Sequence, residues 1–270
     1  MNDLIILKLG GAAITDKLSE FTLRPDVLAQ AFDELSSFSK PLVLVHGAGS
    51  FAHNLAKKYL LSKGRDDTLS QEEQFRGITE TRRSLHNLHN SVLDEMMKVG
   101  MLPISFPVSA IFHSKDHEEM ESVYFTPLNH ALSLGFVPVL YGDISFDTAN
   151  MFRVISGDRI IKELCKYFGE KYDSIRILFG SNVDGLFDKD PAIPSAKLIE
   201  SINKTNIESL VKNAGDSAGT DVTGGMKGKL EEIQSITKLG HRVQIFNLTV
   251  PGRLSSILED RPTIMTDILP

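Results

Sequence analysis

Short, continuous runs of apolar residues alternate along this chain with longer amphipathic stretches. Each run ends at a glycine, a proline or polar residues, which is typical of a strand covered on both faces of a parallel sheet. The predicted strands cover residues 4–9, 42–45, 102–106, 136–141, 174–179 and 242–247.

The stretches between these runs carry the start and stop signals of helices. Pro25 suits the first position of a helix over residues 25–37. Ser70, with Glu73 three residues later, forms a capping-box pattern at the start of a long helix that extends to residue 99. Further helices are predicted over residues 50–60, 157–168 and 225–239, the last of them ending at Gly240.

This alternation predicts an α/β fold, a three-layer α/β/α sandwich with an open, mainly parallel central sheet. We expect a single domain over residues 1–270, with a soft division into two lobes near residue 150. Two polar stretches interrupt the pattern. Residues 113–122 are interpreted as a hairpin or flap, and residues 212–220 as a loop of small residues.

Composition narrows the classes of partner. With 41% hydrophobic residues the chain can bury a large core, and its formal charge of −6 makes nucleic acid an unlikely partner for a broad surface. The single cysteine, Cys165, excludes an intrachain disulfide and fits a small buried side chain in a reducing compartment. No run approaches the roughly 20 apolar residues of a membrane span. We therefore expect a cytoplasmic protein.

Three stretches far apart in the chain place glycines beside lysine or histidine at the end of an apolar run. They are Lys8-Leu9-Gly10-Gly11 with Lys17 close behind, the segment from His46 to His53, and Asp221-Val222-Thr223-Gly224-Gly225-Met226 with Lys227 and Lys229. Glycine amides can approach anionic oxygens closely, and lysines around them suit a polyphosphate. Together the three stretches predict a kinase.

Lys8 is the most telling member of the first stretch. A lysine inside an apolar strand is costly to bury, and this one lies near the carboxyl edge of the predicted sheet, where ligands bind in open α/β folds. Lys17, by contrast, sits in a polar segment where a solvated loop charge is an equally good interpretation.

The second stretch contains Gly47-Ala48-Gly49-Ser50-Phe51-Ala52, which matches the dinucleotide-binding fingerprint with a terminal alanine. That fingerprint also requires an acidic residue about 20 positions later, at the end of the next strand. Residues 63–68 form a polar loop with no strand before it. The feature that remains is anion binding at a helix N-terminus, so a phosphate site is favoured over an NAD site.

His53 falls in the first turn of the helix predicted after this loop. The helix dipole disfavours an imidazolium there, so the histidine gains most from an anion that reverses the local sign. A packed or solvent-facing ring is the commoner fate of a single histidine. Beside this loop we favour a phosphate ligand.

The third stretch is not a Walker A loop. Gly228-Lys229 follows Gly224 one residue too early, and Leu230 stands where a serine or threonine would bind magnesium. It still places glycines and Lys229 at a predicted helix start, which suits contact with a γ-phosphate. Asp158, in Ser156-Gly157-Asp158, is either a simple partner of a helix dipole or, as we prefer, a group that orients the lysines.

Taken in order, these segments resemble the amino acid kinase family over nearly the whole chain. The resemblance also includes Tyr141-Gly142-Asp143 and Val183-Asp184-Gly185 with Asp190-Pro191. Ile14-Thr15-Asp16-Lys17 and the histidine that closes the second loop point to the isopentenyl phosphate branch, which shares them with fosfomycin kinases. Ala12 stands where serine is usual, and Ala48 and Ala52 replace glycines.

The resemblance implies that the γ-phosphoryl group of ATP passes to isopentenyl phosphate, with Mg²⁺ and without a metal site built by the protein. It implies catalytic roles for Lys8, Lys17, His53, Asp158 and Lys229. The ATP site would comprise Lys8, Gly10, Gly11, Ala12, Gly49, Asp184, Gly185, Gly225 and Lys229. The acceptor would contact Ala48, His53 and Gly142. The N-terminal half, to about residue 150, would hold the acceptor and residues 151–270 the nucleotide.

The acceptor's hydrocarbon tail would need an apolar pocket. Phe75, Ile78, Leu85 and Leu88 lie at roughly helical spacing in the long helix. Such a stripe is more often core than pocket, so we name Phe75 and Ile78 only as candidates.

Two alternatives stay open. One is a sister kinase that acts on another phosphate or phosphonate, such as fosfomycin; a carboxylate acceptor fits less well, because His53 matches a phosphate contact. The other is a non-catalytic nucleotide-binding or storage protein on the same fold. Retention of Lys8, Lys17, Asp158 and Lys229 speaks against the second. The resemblance also implies a homodimer.

Overall fold

A mostly parallel sheet forms the centre of the molecule. The computed structural model describes residues 3–16, 19–116, 119–203, 206–208, 210–211 and 222–270, with the backbone alone at 222–227 and 229. In chain order the strands are β1 (Asp3–Leu9), β2 (Leu42–His46), β3 (Pro103–Ser105), β4 (Phe112–Ser114), β5 (Met120–Val123), β6 (Val137–Tyr141), β7 (Asp143–Asp147), β8 (Met151–Ile155), β9 (Ser174–Ser181), β10 (Ser201–Ile202), β11 (Arg242–Asn247) and β12 (Thr266–Ile268).

Over the described ranges, eight of these strands make the central sheet, in the order β10-β12-β11-β9-β1-β2-β6-β3. Every pairing in it is parallel except β11 with β12. The others form a smaller sheet in the order β5-β4-β7-β8. The predicted open, mainly parallel sheet is confirmed.

Helices cover both faces of the central sheet. They are α1 (Gly11–Ile14), α2 (Pro25–Leu35), α3 (His53–Lys58), α4 (Gln71–Lys98), α5 (Val108–Ile111), α6 (Thr126–Ser133), α7 (Gly157–Phe168), α8 (Val222–Lys238) and α9 (Arg253–Leu258). Side chains of β1 alternate between two cores. Leu4 and Ile6 pack in the core that contains α7 and α8, whereas Leu7 and Leu9 pack in the core that contains α2, α4 and α9. This gives the three layers that the alternating pattern predicted.

Most predicted elements are found, with ends that differ by a few residues. Pro25 opens α2, and the Ser70 hydroxyl accepts a hydrogen bond from the Glu73 amide at 3.2 Å as α4 begins. The chain leaves α8 through Gly240, which has a positive φ of +88°. Cys165 is buried in α7, as expected of a small core side chain, and burial raises the pKa of its thiol.

The helix predicted over residues 50–60 is wrong in one respect. The segment forms a short 3₁₀ turn at Gly49–Phe51 and then α3, because Gly49 is left-handed with φ +51° and Ala52 breaks the α-helical geometry. At its far end Leu60 is also left-handed, with φ +52°. His53 is consequently the first residue of α3 itself.

The polar segment at 113–122 is confirmed as a hairpin, since β4 pairs antiparallel with β5 and His113 lies opposite Ser122. Residue 150 lies in the turn of a second hairpin, β7–β8, which the sequence pattern did not predict. The predicted loop at 212–220 lies outside the described residues. Among the helices that the structure describes, none has both the length and the apolar character needed to cross a membrane.

Candidate active site

The carboxyl ends of neighbouring strands meet at one edge of the central sheet. Leu9 of β1 lies opposite His46 of β2 and Gly180 of β9, and His46 in turn lies opposite Tyr141 of β6. The residues that follow these strands therefore gather at the edge where open α/β sheets bind ligands.

The first two glycine loops are in direct contact at this edge. A Cβ atom on Gly11 would lie 2.4 Å from the amide nitrogen of Gly49, and one on Gly47 would lie 2.5 Å from the amide nitrogen of Gly11. A side chain at either position would force the backbones apart. The structure thus brings Gly10, Gly11, Ala48 and Gly49 together, as the sequence predicted.

Thr15 links the two loops. Its hydroxyl donates to the Gly11 carbonyl at 2.7 Å and accepts from the Ser50 amide at 3.0 Å. A Cβ on Gly49 would lie 2.1 Å from that hydroxyl oxygen. The motif Ile14-Thr15-Asp16-Lys17 does not by itself indicate this role. The geometry shows that Thr15 connects the two loops through its hydroxyl.

Lys8 and Asp158 form an ion pair beside the loops. Lys8 Nζ lies 2.5 Å from Asp158 Oδ1, and the two side chains are 14% and 19% exposed. Asp158 lies in the first turn of α7, where the Ser156 hydroxyl accepts from the Arg159 amide. Lys8 Nζ also lies 5.4 Å from the centre of the Phe179 ring. The pair places a nearly buried cation at the sheet edge and agrees with the preferred interpretation of Asp158, whose role in orienting the lysines stays a prediction.

Gly142 and Gly157 lie next to each other at the same sheet edge, with Gly157 against Lys8. The Gly142 amide donates to the His46 carbonyl at 3.2 Å. A Cβ on Gly157 would lie 3.3 Å from Lys8 Cε, so the start of α7 passes directly against the lysine side chain. Gly142 therefore belongs to the same edge as the loops.

The structure gives less detail for the other predicted site residues, His53, Lys17, Gly225 and Lys229. His53 is exposed as the first residue of α3. Lys17 lies outside the described residues. Gly225 and Lys229 belong to α8, for which the structure gives the backbone alone at these positions. Their roles stay predictions.

Asp184 is held by two side chains from the C-terminal part of the chain. Its Oδ1 accepts from Arg253 Nη1 at 2.5 Å and from Asn247 Nδ2 at 3.2 Å. The following Gly185 packs tightly, since a Cβ there would lie 2.3 Å from Thr266 Oγ1. These contacts fix the loop after β9, and its proposed contact with the nucleoside stays a prediction.

A cavity of about 590 Å³ lies between α4 and the β7–β8 hairpin. Phe75 and Ile78 line it, whereas Leu85 and Leu88 are buried in the cores, so the helical stripe divides between pocket and core. Its other lining residues, which the sequence analysis missed, are Thr79, Arg82, Arg83, His86, Phe146, Met151 and Phe152.

Arg82 is anchored in the cavity wall by a buried carboxylate. Its Nε donates to Asp143 Oδ2 at 3.2 Å and its Nη2 donates to Ser109 Oγ at 2.6 Å. The Asp143 side chain is fully buried. Burial raises the pKa of Asp143, and the Arg82 guanidinium opposes that shift. The motif Tyr141-Gly142-Asp143 does not indicate that Asp143 contacts Arg82, because the two residues meet only in the folded chain.

A second cavity, of about 440 Å³, adjoins the first loop. It brings Ala12 of α1 together with Asn182, which follows β9. The other lining residues are Thr15, Asp16, Thr22, Leu23, Arg24 and Asp26.

Two buried histidines lie beneath the second loop: His46, for which the sequence indicates no separate role, and His89, which carries no sequence signal. The ring of His46 stacks on Tyr141 with 5.2 Å between centres, and His89 of α4 packs on the same Tyr141 ring at 4.4 Å. Burial lowers the pKa of His46 to about 4. Burial, followed by the neighbouring His46 and His86, lowers the pKa of His89 to about 3. Both rings are therefore neutral near pH 7.

Comparison with known proteins decides the family. A sequence model of the amino acid kinase family matches residues 3–247. The chain belongs to the amino acid kinase family. This amino acid kinase is 32% identical over 261 residues to an isopentenyl phosphate kinase of Methanothermobacter thermautotrophicus, covering 94% of this chain and 95% of that protein.

Two further relatives agree with this placement. An isopentenyl phosphate kinase of Thermoplasma acidophilum is 32% identical over 256 residues, covering 94% of this chain and 96% of its own. A solved structure described as an X-ray structure of isopentenyl phosphate kinase superposes with a TM-score of 0.82 at 28% identity, covering 98% of this kinase and 100% of its own chain.

Proposed function

We propose that this kinase transfers the γ-phosphoryl group of ATP to isopentenyl phosphate and so produces isopentenyl diphosphate and ADP. The observation that carries the proposal is the nearly buried Lys8–Asp158 pair beside two glycine loops in mutual contact. Relatives named isopentenyl phosphate kinase, at 32% identity over 94% of the chain, support the choice of acceptor.

The chemistry needs positioning and charge neutralisation more than proton transfer. An oxygen of the acceptor phosphate forms a bond to the γ-phosphorus, and the bond from that phosphorus to the β–γ bridging oxygen breaks, which releases ADP. The acceptor is already anionic, so no general base is required. An ammonium group has three donors. Asp158 engages one of those on Lys8, and the others can bind phosphate oxygens.

We assign the acceptor to the N-terminal half of the domain. The Ala48 amide and His53 would bind its phosphate, with Gly142 nearby. The cavity lined by Phe75 and Ile78 would take the hydrocarbon tail, and its volume of about 590 Å³ leaves ample room for a five-carbon chain.

We assign the nucleotide to the other side of the Lys8–Asp158 pair. Its phosphates would lie against Lys8, Gly10, Gly11, Ala12 and Gly49, with Gly225 and Lys229 of α8 at the γ-phosphate. Lys17 would stabilise the transferring group, and Asp184-Gly185 would lie near the nucleoside. We also propose a cytoplasmic location, where ATP is available to the reaction.

Mg²⁺ would enter with ATP and screen the charge of its phosphates. Within the described ranges, no group of three or more histidine, cysteine or acidic side chains is arranged to hold a metal ion. Asp158 Oδ1 is already engaged by Lys8. These observations fit an ion held mainly by substrate phosphates and water, which is the usual mode for Mg²⁺ in kinases.

We further propose a homodimer. β3 is the edge strand of the central sheet, and Leu102, Leu134 and Phe136 beside it are exposed. A second copy could cover this surface. Sedimentation analysis of the purified protein tests this assignment, which a monomer at micromolar concentration would overturn.

A panel of acceptors tests the function. Purified kinase with ATP and Mg²⁺ is assayed for ADP release with isopentenyl phosphate, fosfomycin, acetylglutamate and no acceptor. We expect the highest kcat/KM with isopentenyl phosphate. A higher kcat/KM with fosfomycin would make fosfomycin the assigned acceptor. ATP binding without turnover of any acceptor would overturn the enzyme assignment.

His53→Ala examines acceptor recognition in the same assay. We expect the acceptor KM to rise while the KM for ATP changes little. Asn54→Ala, at the next position of the same exposed helix turn, is the matched control. Unchanged acceptor kinetics in the His53 variant would remove that residue from the site.

A further inference from the structure

A buried chain of hydrogen bonds ends at the carbonyl of Gly47, in the second glycine loop. His46 Nδ1 lies 3.1 Å from that carbonyl oxygen, and His46 Nε2 lies 3.0 Å from His89 Nδ1. His89 Nε2 lies 2.7 Å from the Ser105 hydroxyl on β3. The chain therefore runs from the edge strand of the sheet, through α4, to the loop.

The Gly47 carbonyl determines which group donates and which accepts in each of these hydrogen bonds. A carbonyl oxygen can only accept, so His46 Nδ1 must carry the proton that it donates to Gly47. In a neutral ring His46 Nε2 is then the acceptor, and His89 Nδ1 donates to it. His89 Nε2 accepts in turn from Ser105. Burial lowers the pKa of both histidines, so both rings are neutral, and the tautomers follow from the hydrogen bonds.

Holding the Gly47 carbonyl also fixes the neighbouring amide. A trans peptide group is planar, so the Ala48 N–H points opposite to the Gly47 C=O. The hydrogen bond from His46 draws that carbonyl toward the buried histidines and so turns the Ala48 amide away from them. Without this constraint the Gly47–Ala48 peptide could rotate, because glycine permits both orientations.

The same rings support the loop by packing. Ala52 and Tyr141 are buried together with Leu85 of α4, and Ala48 packs against this group. His46 and His89 both pack on the Tyr141 ring, so the aromatic stack is in contact, through Tyr141, with Ala48 and Ala52 of the loop.

We infer that His46 and His89 are positioning residues that hold the Ala48 amide in the orientation that binds the acceptor phosphate. The inference rests on the proposed function, which assigns the acceptor phosphate to this loop. Neither ring touches substrate in this account, and both act through the Gly47–Ala48 peptide group.

The experiment compares steady-state kinetics of the full-length kinase and its variants with isopentenyl phosphate and ATP. His89→Phe keeps an aromatic ring on Tyr141 but removes both hydrogen bonds. We expect the acceptor KM to rise about tenfold, the effect of one lost hydrogen bond, while the KM for ATP changes less than twofold. His241→Phe, a substitution of a half-buried histidine that packs against Gly169, should leave both constants unchanged.

A second comparison separates positioning from folding. Asparagine can place a donor where His46 Nδ1 lies, whereas leucine cannot, so His46→Asn should keep an acceptor KM closer to the parent than His46→Leu. Ser105→Ala removes only the hydroxyl at the far end of the chain of hydrogen bonds. If His89→Phe fails to fold, the acceptor KM of Ser105→Ala tests the positioning role in its place.

The outcomes distinguish this inference from the proposed function. A parent enzyme that does not turn over isopentenyl phosphate overturns both. A parent that does, together with unchanged acceptor KM in His89→Phe and Ser105→Ala, overturns the positioning role alone. Equal rises in the KM for acceptor and for ATP would also overturn it, since they would reflect a general disturbance of the site.

Discussion

Lys8 Nζ lies 2.5 Å from Asp158 Oδ1, although 150 positions separate the two residues in the chain. The contact joins the first strand of the central sheet to the first turn of α7. It brings a cation into an otherwise apolar setting, with Phe179 on one side and Gly157 on the other. Burying a lysine there is tolerable because its charge is paired with that of Asp158.

Lys8→Met is predicted to lower kcat by on the order of 10²–10³, the typical loss when one contact to a developing negative charge is removed. Asp158→Asn should lower kcat less, since it leaves the cation in place but orients it less firmly. Steady-state kinetics with circular dichroism checks both variants.

The control for the two variants is a second ion pair, which involves Asp3 at the start of β1. Lys40 Nζ lies 3.1 Å from Asp3 Oδ2 at the opposite end of β1. Lys40→Met removes a more exposed lysine from an ion pair remote from the glycine loops and should leave kcat unchanged. Equal losses in the Lys8 and Lys40 variants would mean that the kinetics report stability instead of chemistry.

Gly49→Ala is predicted to disrupt the contact between the loops. Its φ of +51° disfavours any side chain, and a Cβ would also meet the Thr15 hydroxyl at 2.1 Å and the Gly11 carbonyl at 2.8 Å. Strain and overpacking together should cost about 2–5 kcal/mol in the free energy of unfolding. Urea denaturation measures this cost.

Gly100→Ala separates strain from crowding. Gly100 has a similarly positive φ of +80°, but a Cβ there would meet nothing within 4 Å. The Gly100→Ala variant should lose only about 1–2 kcal/mol in the free energy of unfolding, the cost of the left-handed conformation. If both variants lost the same amount, the close packing of the loops would not contribute to stability.

Arg82→Met is predicted to destabilise the fold by about 3–5 kcal/mol, because it leaves the fully buried Asp143 without its partner. Arg76→Met, on the same helix, removes an exposed pair with Glu72 and should cost at most about 1 kcal/mol. Thermal and urea unfolding compare the two. A small effect of the Arg82 variant would contradict the anchoring role described for Asp143.

Acidification below pH 6.5 is predicted to destabilise the protein through His46 and His89. Because their folded pKa values are lowered, to about 4 and about 3, the unfolded chain binds more protons below 6.5. Their stabilisation is therefore complete above pH 6.5 and is lost as the pH falls toward the folded values. At pH 5 each group accounts for about 2 kcal/mol of that loss.

Urea unfolding at pH 7 and pH 5 measures this dependence. His89→Phe lacks one of the two groups and should lose about 2 kcal/mol less than the parent protein over the same interval. An identical loss in parent and variant would contradict the neutral, buried state of His89.

The sequence predicted the central sheet well because its strands are continuous apolar runs. β11 was predicted over the residues that form it, and the five other predicted strands differed by one or two positions at their ends. The short strands β10 and β12 at the far side of the sheet were not predicted. In the smaller sheet the β4–β5 hairpin was expected, but β7 and β8 were missed for a physical reason. β7 contains Asp143, Ser145 and Asp147, whose polar side chains are buried through tertiary contacts that no local pattern reveals.

The residues of the candidate site also divide into those with a local sequence signal and those without one. Glycine loops and charged residues within apolar runs leave a local signal, so Lys8, Gly11, Gly49 and Asp158 could be predicted. His46 and His89 meet across the boundary between a strand and a helix, and their spacing in the chain carries no periodic signal. The same holds for Arg82 and Asp143, which are joined only by folding.

The most direct test of the account is the identity of the phosphorylated product. The kinase is incubated with ATP, Mg²⁺ and isopentenyl phosphate, and the products are followed by ³¹P NMR alongside ADP release. The account predicts a diphosphate formed in equal amount to ADP, with no ADP release when the acceptor is omitted. ADP release at the same rate without isopentenyl phosphate, and no diphosphate, would contradict it.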